Sequence, residues 1–210
     1  MRNKITSISP SIIRRLPIYL RLVQELKEQS ILTVSSQEMG DHLDLNPAQI
    51  RKDLASFGEF GRKGVGYDIS YLDWKLRQLL NLDRHIGVAL IGAGHLGIAL
   101  SNYARFQLER ITIAAVFDRD PQKIGMQIGT LTVADFNDLT VICQKQDLQM
   151  GIIAVPASSA QEVCDALVSA GIRTILNFAP VNLRIGPNVH LRNTDVTTEL
   201  QALAYYLDQK

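Results

Sequence analysis

One glycine-rich segment that follows an apolar run constrains the fold of this chain more than any other. The apolar run at 88–91 leads directly into the sequence G-x-G-x-x-G at 92–97. A helical pattern follows, with Leu96, Leu100 and Tyr103 on one face. In such a unit the first glycine permits a tight turn, the second lets a pyrophosphate approach the backbone, and the third allows the helix to pack closely on the strand. The sequence therefore predicts a dinucleotide-binding turn.

An acidic residue stands at the distance from the glycines that this turn requires. Asp118 ends the next predicted strand, about 20 residues further on, where a carboxylate accepts hydrogen bonds from the adenosine ribose. An acid there repels a 2′-phosphate, so NAD(H) is expected rather than NADP(H). Arg119 leaves that preference open, because an arginine can pair with a 2′-phosphate. The alternative is that the glycines serve only a tight turn and Asp118 caps a loop.

The residues of the glycine turn are the first candidate cofactor ligands. They are Gly92, Ala93, Gly94, His95, Leu96 and Gly97. Because His95 occupies a variable position of the fingerprint, we expect a solvent-facing loop residue there and not a catalytic base.

From residue 85 onward, short apolar or β-branched runs alternate with helical patterns. The predicted strands are 86–91, 111–117, 151–155 and 173–176. The predicted helices are 96–106, 135–145 and 159–170. This alternation is typical of a doubly wound α/β domain, a parallel sheet with helices on its faces.

A last helix with an apolar stripe is predicted after a cap at Asp195, and the stripe suits packing on its own subunit or on a partner.

Short helices and a glycine-rich loop are predicted for the first 82 residues. The helices are expected at about 9–29, with a kink or restart at Pro17, and at 35–43, 46–57 and 70–82. Capping signals mark the first three starts, and Ser70 with Asp73 marks the fourth. The glycines between 58 and 67 suit a tight hairpin and cannot continue a helix.

The third of these helices has the pattern of a helix that reads DNA. Helical spacing buries Ile50, Leu54 and Phe57. Cations and small residues occupy the opposite half: Ala48, Arg51, Lys52, Ala55 and Ser56. Small residues let a helix approach the floor of a major groove, where arginine and lysine reach guanine edges and phosphates. Arg62 and Lys63 are placed like a basic wing on the following loop. The alternative is a solvated basic face.

Composition excludes several other classes of protein. No apolar run approaches the roughly 20 residues of a membrane span, and no signal-type stretch follows the first residues, so a cytoplasmic protein is expected. Cys143 and Cys164 lack metal-ligand spacing and the density of a disulfide scaffold, so we expect reduced thiols and no metal site. The first 84 residues carry 13 Lys+Arg and 10 Asp+Glu, against 9 and 11 in the remainder, which weakly favours an anionic partner there.

The chain resembles the Rex family of redox-sensing repressors along essentially its whole length. The specific stretches are Arg15-Leu16-Pro17, 49–54, 56–61, 64–67, 92–97 and 175–181. The resemblance implies a winged-helix DNA-binding domain at 1–82, a Rossmann NAD(H)-binding domain at 83–194 and a C-terminal helix at 195–210 that is exchanged within a homodimer. It also implies a repressor that binds palindromic operator DNA and releases the DNA when NADH binds.

The resemblance implies roles for individual residues as well. The DNA contacts are Gln49, Arg51, Lys52, Ser56, Arg62, Lys63 and Gly64. The cofactor contacts beyond the glycine turn are Tyr103, Asp118, Arg119, Val155, Pro156, Asn177, Phe178, Ala179 and Pro180. Arg21, Tyr103 and Asp195 match family residues that distinguish NAD+ from NADH and relay the difference to the DNA-binding domains. Without the resemblance they are interpreted as a surface cation, a core residue and a helix cap.

Two other functions stay open at this point. An NAD-dependent oxidoreductase with an N-terminal helical module needs a general acid or base near the nicotinamide, and His42, His85 and His190 form no recognisable catalytic pair. An enzyme is therefore not expected. A regulatory module that binds coenzyme A or another nucleotide is compatible with the loops at 154–156 and 177–180.

Overall fold

The computed structural model describes residues 8–62 and 64–207 of the chain. The chain divides into two compact units, with the boundary between Arg84 and His85. Each unit has a hydrophobic core of its own.

The first unit combines helices with a small antiparallel sheet. Its helices are α1 (Pro10–Glu28), α2 (Ser36–Leu43), α3 (Pro47–Ala55) and α4 (Ile69–Leu79). Its strands are β1 (Thr33–Val34), β2 (Gly61–Arg62) and β3 (Gly66–Asp68), in the order β1-β3-β2. The β2–β3 hairpin follows α3 in the chain and forms the wing of a winged helix, as predicted.

Polar side chains fix the starts of α2 and α3. Ser35 and Glu38 form a reciprocal capping box, with Glu38 N–H donating to Ser35 Oγ at 3.1 Å and Ser35 N–H donating to Glu38 Oε2 at 2.7 Å. Asn46 accepts a hydrogen bond from Ala48 N–H at 2.8 Å, and Pro47 begins α3. Proline suits the first helical position because its missing N–H would have no partner within the helix there.

The start of α4 differs from the prediction. Asp68 caps this helix in place of Ser70, because its carboxylate accepts a hydrogen bond from Tyr71 N–H at 2.8 Å. Asp73 is buried and accepts a hydrogen bond from Lys27 Nζ at 2.6 Å. Asp73 thus links α4 to α1 and takes no part in the cap.

Helix α1 lies at the centre of the first core. It runs through Pro17 as one element, so no restart occurs there. Its buried side chains pack with those of the other three helices. The buried residues include Leu16, Tyr19, Val23, Met39, Ile50, Leu54, Leu72 and Leu76.

The second unit is a doubly wound α/β domain, as predicted. Its strands are β4 (Ile86–Ile91), β5 (Ile111–Asp118), β6 (Gln127–Ile128), β7 (Leu131–Asp135), β8 (Met150–Ile153), β9 (Thr174–Asn177) and β10 (His190–Asn193). Their order is β10-β9-β8-β4-β5-β7-β6, and in the described chain every neighbouring pair is parallel except β6 with β7. The winding of the chain reverses between β4 and β8, which is where Rossmann domains bind their ligands.

The helices of this unit are α5 (His95–Ser101), α6 (Arg105–Leu108), α7 (Leu139–Lys145), α8 (Ala157–Ser169) and α9 (Val196–Ala204). The helices predicted at 96–106 and 135–145 are shorter than expected, whereas α8, predicted at 159–170, is not. The single helix predicted at 96–106 is divided because Asn102 ends α5 and donates its side-chain amide to the carbonyl of Ile98 at 3.0 Å. Leu96 and Tyr103 are 44% and 50% exposed, so the apolar face predicted for this helix does not belong to the core.

The second core contains both cysteines. Burial raises the pKa of Cys143 to about 11 and also raises the pKa of Cys164, so both are neutral thiols at physiological pH.

Among the described residues, no group of three or more histidines, cysteines or acids could hold a metal ion. Within the same ranges no helix combines the length and the apolar character needed to cross a bilayer.

Helix α9 exposes its apolar side chains. Although it is apolar, none of its residues is buried in the described chain. The exposed apolar residues in and directly after it are Val196, Leu200, Leu203, Tyr205, Tyr206 and Leu207.

Candidate functional sites

The glycines of the fingerprint meet the different requirements that the sequence predicts for them. Gly92 follows β4 with φ +108°, and a Cβ there would collide with the carbonyl oxygen of Ala154. A Cβ at Gly97 would collide with the carbonyl oxygen of Gly92, so only glycine lets α5 lie this close to β4. Gly94 has open space where its side chain would be, with no described atom within 4 Å. The turn is therefore packed at its two ends and open in the middle, where a pyrophosphate would lie.

Asp118 binds the glycine turn to the end of β5. Its carboxylate accepts hydrogen bonds from four described donors: the backbone N–H groups of Ala93 (2.8 Å), Arg119 (2.8 Å) and Asp120 (3.0 Å), and Lys123 Nζ (3.1 Å). Burial raises the pKa of Asp118, but these hydrogen bonds outweigh burial and the net pKa is lowered. The group is an anion at neutral pH. A ribose hydroxyl can bind it by replacing the ammonium of Lys123, the donor that lies on a flexible side chain.

Arg119 is held in place on two sides. Its guanidinium lies over the ring of Phe136, with Cζ 4.3 Å from the ring centroid. It donates two hydrogen bonds to Glu162 on α8, from Nη1 at 2.6 Å and from Nη2 at 2.5 Å. Its cationic edge is thus already occupied by a carboxylate.

The loops that follow β8 and β9 lie at the same edge of the sheet, because parallel strands end together. Val155 and Pro156 follow β8, and Val155 lies beside the glycine turn, since a Cβ at Gly92 would be 3.1 Å from Val155 Cγ1. Phe178, the next residue after β9, donates its N–H to the carbonyl of Ile153 at 2.9 Å.

The side chain of Asn177 shapes the second of these loops. Asn177 is fully buried, and its amide bonds the carbonyl of Ala179, the N–H of Ala179, the carbonyl of Val181 and the side chain of Asn193. These bonds hold the loop that presents Ala179 and Pro180. A direct contact between Asn177 and a cofactor stays a prediction.

Arg21, Tyr103 and Asp195 each have local partners. Arg21 is exposed and pairs with Glu25 at 3.1 Å. Tyr103 is exposed and stacks edge-to-face on Phe106, so its interpretation as a core residue is wrong. Asp195 caps α9, as predicted, by accepting a hydrogen bond from Thr197 N–H at 2.9 Å. A signalling role for these three residues stays a prediction.

The buried and exposed faces of α3 agree with the prediction. Ile50 and Leu54 are buried and Phe57 is half-buried. The residues on the exposed face are Ala48, Arg51, Lys52, Ala55 and Ser56. Arg51 donates a hydrogen bond to Ser36 Oγ at 2.8 Å, which fixes its direction away from the core.

The hairpin that follows α3 provides the second part of this surface. A cleft of about 770 Å³ separates α3 from the hairpin, and Arg51, Glu59 and Val65 contribute to its walls. Gly64 lies in the turn of the hairpin with φ +83°, a conformation that favours glycine. Arg62 lies in β2, and the predicted wing residue Lys63 lies outside the described residues.

A buried carboxylate that is not among the predicted functional residues holds α3 in place. Asp53 has an exposed fraction of 0% and accepts hydrogen bonds from Arg15 Nε (2.5 Å), Arg15 Nη2 (2.9 Å), Tyr19 Oη (2.7 Å) and Gln49 Nε2 (2.6 Å). Helical spacing places Asp53 near Ile50, on the buried side, and that signal could have identified it. Gln49, predicted as a DNA contact, uses its amide on Asp53, so the DNA contact stays a prediction.

Two family models match the chain. Residues 7–55 match the model described as "Putative DNA-binding protein N-terminus", and residues 83–181 match the model described as "CoA binding domain".

Curated relatives match the chain over nearly its whole length. It is 50% identical to the redox-sensing transcriptional repressor Rex of Brevibacillus brevis, over 95% of this chain and 97% of the relative. It is 47% identical to the protein of the same name from Chloroflexus aurantiacus, over 93% of this chain and 92% of the relative.

Solved structures of the repressor RSP match as well. In complex with beta-NAD+ and operator DNA, RSP superposes with a TM-score of 0.92 at 34% identity, over 97% of this chain and 94% of that chain. The structure of RSP in complex with beta-NADH superposes with a TM-score of 0.87 at 32% identity, over 97% of this chain and 96% of that chain.

Substitution of Gly97 and Gly94 by alanine tests the packing of the glycine turn. Gly97→Ala should lower the free energy of unfolding of the second unit by about 2 kcal/mol or more, because α5 must move away from β4. Gly94→Ala should change it by no more than about 0.5 kcal/mol, because its Cβ enters open space. Urea unfolding followed by far-UV circular dichroism records both units, and fluorescence of the single tryptophan, Trp74 on α4, follows the first unit separately, which identifies the transition of the second unit. Equal losses in the two variants would contradict this account.

The Asp53 cluster predicts a dependence of the first unit's stability on pH. Burial raises the pKa of Asp53, but the hydrogen bonds from Arg15, Tyr19 and Gln49 outweigh burial and the net pKa is lowered. The lowered pKa contributes stability that is complete above the unfolded value of about 3.9 and is lost as pH falls through the folded value. Asp53→Asn should lower the free energy of unfolding at pH 7 by about 3 kcal/mol.

The matched control for that variant is Asp41→Asn, an exposed acid on α2, which should change stability by no more than about 0.5 kcal/mol. Trp74 fluorescence in urea measures both variants. The difference between wild type and Asp53→Asn should shrink as pH falls below about 4, and a difference that is independent of pH would contradict the assignment.

Proposed function

The chain belongs to the Rex family of redox-sensing transcriptional repressors, and we propose that its first unit binds operator DNA and that NADH binding to its second unit releases that DNA. The observation that carries the proposal is that the two binding surfaces occur in one chain. Gly94 opens on free space beside the anionic Asp118, and α3 exposes Arg51 and Lys52 on a face of small residues. The relatives are named repressors and not enzymes, in agreement with the prediction that the chain is not an enzyme.

We propose NAD(H) as the cofactor, held at the reversal point of the second unit's sheet. The backbone N–H groups of 92–97 would face the pyrophosphate, and Asp118 would accept hydrogen bonds from the adenosine ribose. Solved RSP structures contain beta-NAD+ or beta-NADH, which supports this choice. The loop residues proposed to contact the rest of the cofactor are Val155, Pro156, Phe178, Ala179 and Pro180.

We propose that α3 enters the major groove and that the hairpin contacts the adjacent backbone. Arg51 and Lys52 carry the charge needed to reach guanine edges and phosphates, and Ser56 is small enough to lie against the DNA. Arg62, Lys63 and Gly64 form the proposed wing. The RSP structure with operator DNA supports this assignment.

The redox signal is proposed to depend on Arg21, Tyr103 and Asp195. A ligand shifts an equilibrium between two states only by its different affinity for them, so NADH must bind the DNA-free state better than the DNA-bound state. The exposed positions of Arg21 and Tyr103 leave both side chains free to change partners.

Dimerisation through α9 is the proposed use of its exposed apolar stripe. Leu200 and Leu203 are each 61% exposed, and contact with a partner subunit would cover them. A symmetric dimer places its recognition helices on the two halves of a palindromic operator. The proposed domain limits are 1–82, 83–194 and 195–210, and the proposed location is the cytoplasm, with the operator DNA.

One observation favours a second candidate ligand. The family model that matches residues 83–181 is described as a coenzyme A binding domain. Coenzyme A and NAD(H) share an adenosine and a pyrophosphate, so the glycine turn alone does not separate them. The effect of coenzyme A on DNA binding therefore has to be compared with that of NADH.

Binding of NADH and NAD+ at fixed salt tests the proposed function. The probe is palindromic DNA selected by the protein from a random pool, followed by fluorescence anisotropy. NADH should weaken DNA binding at least about tenfold, a change that needs only about 1.4 kcal/mol of differential affinity for the two states. NAD+ and coenzyme A should not weaken DNA binding. Gly94→Ala should bind DNA normally and lose the response to NADH, whereas Arg51→Ala should lose DNA affinity and keep NADH affinity. Equal DNA affinity with NADH and NAD+ would overturn the proposal.

The oligomeric state of stripe variants tests the role of α9. Leu200→Asp with Leu203→Asp should convert a dimer into a monomer, because two charges would replace apolar contact area. Gln201→Asp is the control, because Gln201 lies more than about 100° around the helix from Leu203. This variant should leave the dimer intact. Sedimentation equilibrium measures both. A wild-type monomer, or a dimer in the double variant, would contradict the proposal.

A further inference from the structure

We infer that Glu162 is a specificity-determining residue of the cofactor site, because it holds Arg119 over the ring of Phe136 and keeps that arginine from binding a 2′-phosphate. This inference rests on the proposed function, since it concerns the adenosine end of the same site. It resolves the preference between NAD(H) and NADP(H) that Arg119 leaves open in the sequence.

The geometry of the pair determines which part of Arg119 is available. Two parallel N–H···O bonds to Glu162, at 2.6 and 2.5 Å, occupy the edge of the guanidinium that would otherwise bind a phosphate in the same two-pronged way. The guanidinium also lies over the ring of Phe136, with Cζ 4.3 Å from the ring centroid. The Arg119 side chain is nevertheless 46% exposed, so its other face is accessible.

Arg119 lies where its accessible face can contact the adenine of the cofactor. Arg119 directly follows Asp118 and donates its backbone N–H to the Asp118 carboxylate at 2.8 Å. The ribose that binds Asp118 therefore carries its adenine close to the guanidinium of Arg119. A planar guanidinium stacks on aromatic rings, so the clamped Arg119 offers adenine a flat surface.

The charges around the ribose disfavour a 2′-phosphate. Glu162 neutralises Arg119, and Lys123 is bound to Asp118 at 3.1 Å and lies 3.9 Å from Asp120. Each cation near the ribose therefore already has an acidic partner among the described residues. Either cofactor would displace Lys123 from Asp118, but an NADP(H) 2′-phosphate would also have to displace Glu162 from Arg119 to pair with that guanidinium.

Release of Arg119 is the decisive experiment. Glu162→Gln removes the charge that holds Arg119, and NADPH affinity should rise about tenfold because the freed guanidinium can pair with the 2′-phosphate. NADH affinity should fall, because the stacking surface is no longer held flat. Loss of a negative charge without any role for Arg119 would instead tighten both dinucleotides. Dissociation constants are measured by NADH fluorescence and by NADPH competition.

Two further variants separate the clamp from general electrostatics. Glu162→Gln with Arg119→Gln should lose the gain in NADPH affinity. Asp165→Asn removes an equal charge from the same helix, one turn away, and should change neither dissociation constant by more than about twofold. Because Glu162 is 65% exposed, its substitution should leave the fold intact, which circular dichroism checks.

A failure of the Glu162–Arg119 clamp and a failure of the proposed function give different results. If wild type binds NADH and the NADPH affinity of Glu162→Gln is unchanged, or if the double variant keeps the gain, the clamp is wrong and the proposed function stands. If wild type binds neither dinucleotide, the proposed function itself is wrong.

Discussion

A carboxylate saturated with hydrogen bonds positions the functional surface of each unit. Asp118 accepts hydrogen bonds from four described donors and thereby ties the glycine turn to the end of β5. Asp53 accepts four from side chains of α1 and α3 and ties α3, the proposed DNA-reading helix, to the core. In both cases an ion that would be costly to bury alone becomes a fixed point, because its hydrogen bonds favour the charged form over the neutral one.

The two carboxylates differ in how replaceable their donors are. Asp53 has no exposed surface, and three different side chains surround it, so it serves as a permanent anchor. Asp118 takes one of its hydrogen bonds from the flexible Lys123, which an incoming hydroxyl can replace. The same kind of interaction therefore stabilises the first unit and, in the proposed cofactor site of the second, would permit ligand exchange. The glycine turn also combines a fixed part and an accessible part, because Gly97 is closely packed and Gly94 faces open space.

Much of the fold could be predicted because the signals are local. The run at 86–91 matches β4 residue for residue, and the caps at Ser35 and Asn46 stand where α2 and α3 begin. The prediction was weaker where local signals compete. Asp68 and Ser70 both suit a helix start, and only the position of the chain after β3 makes Asp68 the cap. The strands β6, β7 and β10 are short and partly exposed, so no continuous apolar run marks them.

The sequence by itself determined the class of fold, the dinucleotide turn and the buried face of α3, because periodicity and glycine spacing describe geometry within a few residues of each position. Only the tertiary structure decided how the charged residues are used. Arg119 meets Glu162 from 43 positions away, and Arg15 meets Asp53 from 38 positions away. Neither pair has a sequence spacing that marks it. The physical reason is that the pairing of a charge depends on which side chains the folded chain brings within about 3 Å, and local periodicity carries no information about that distance.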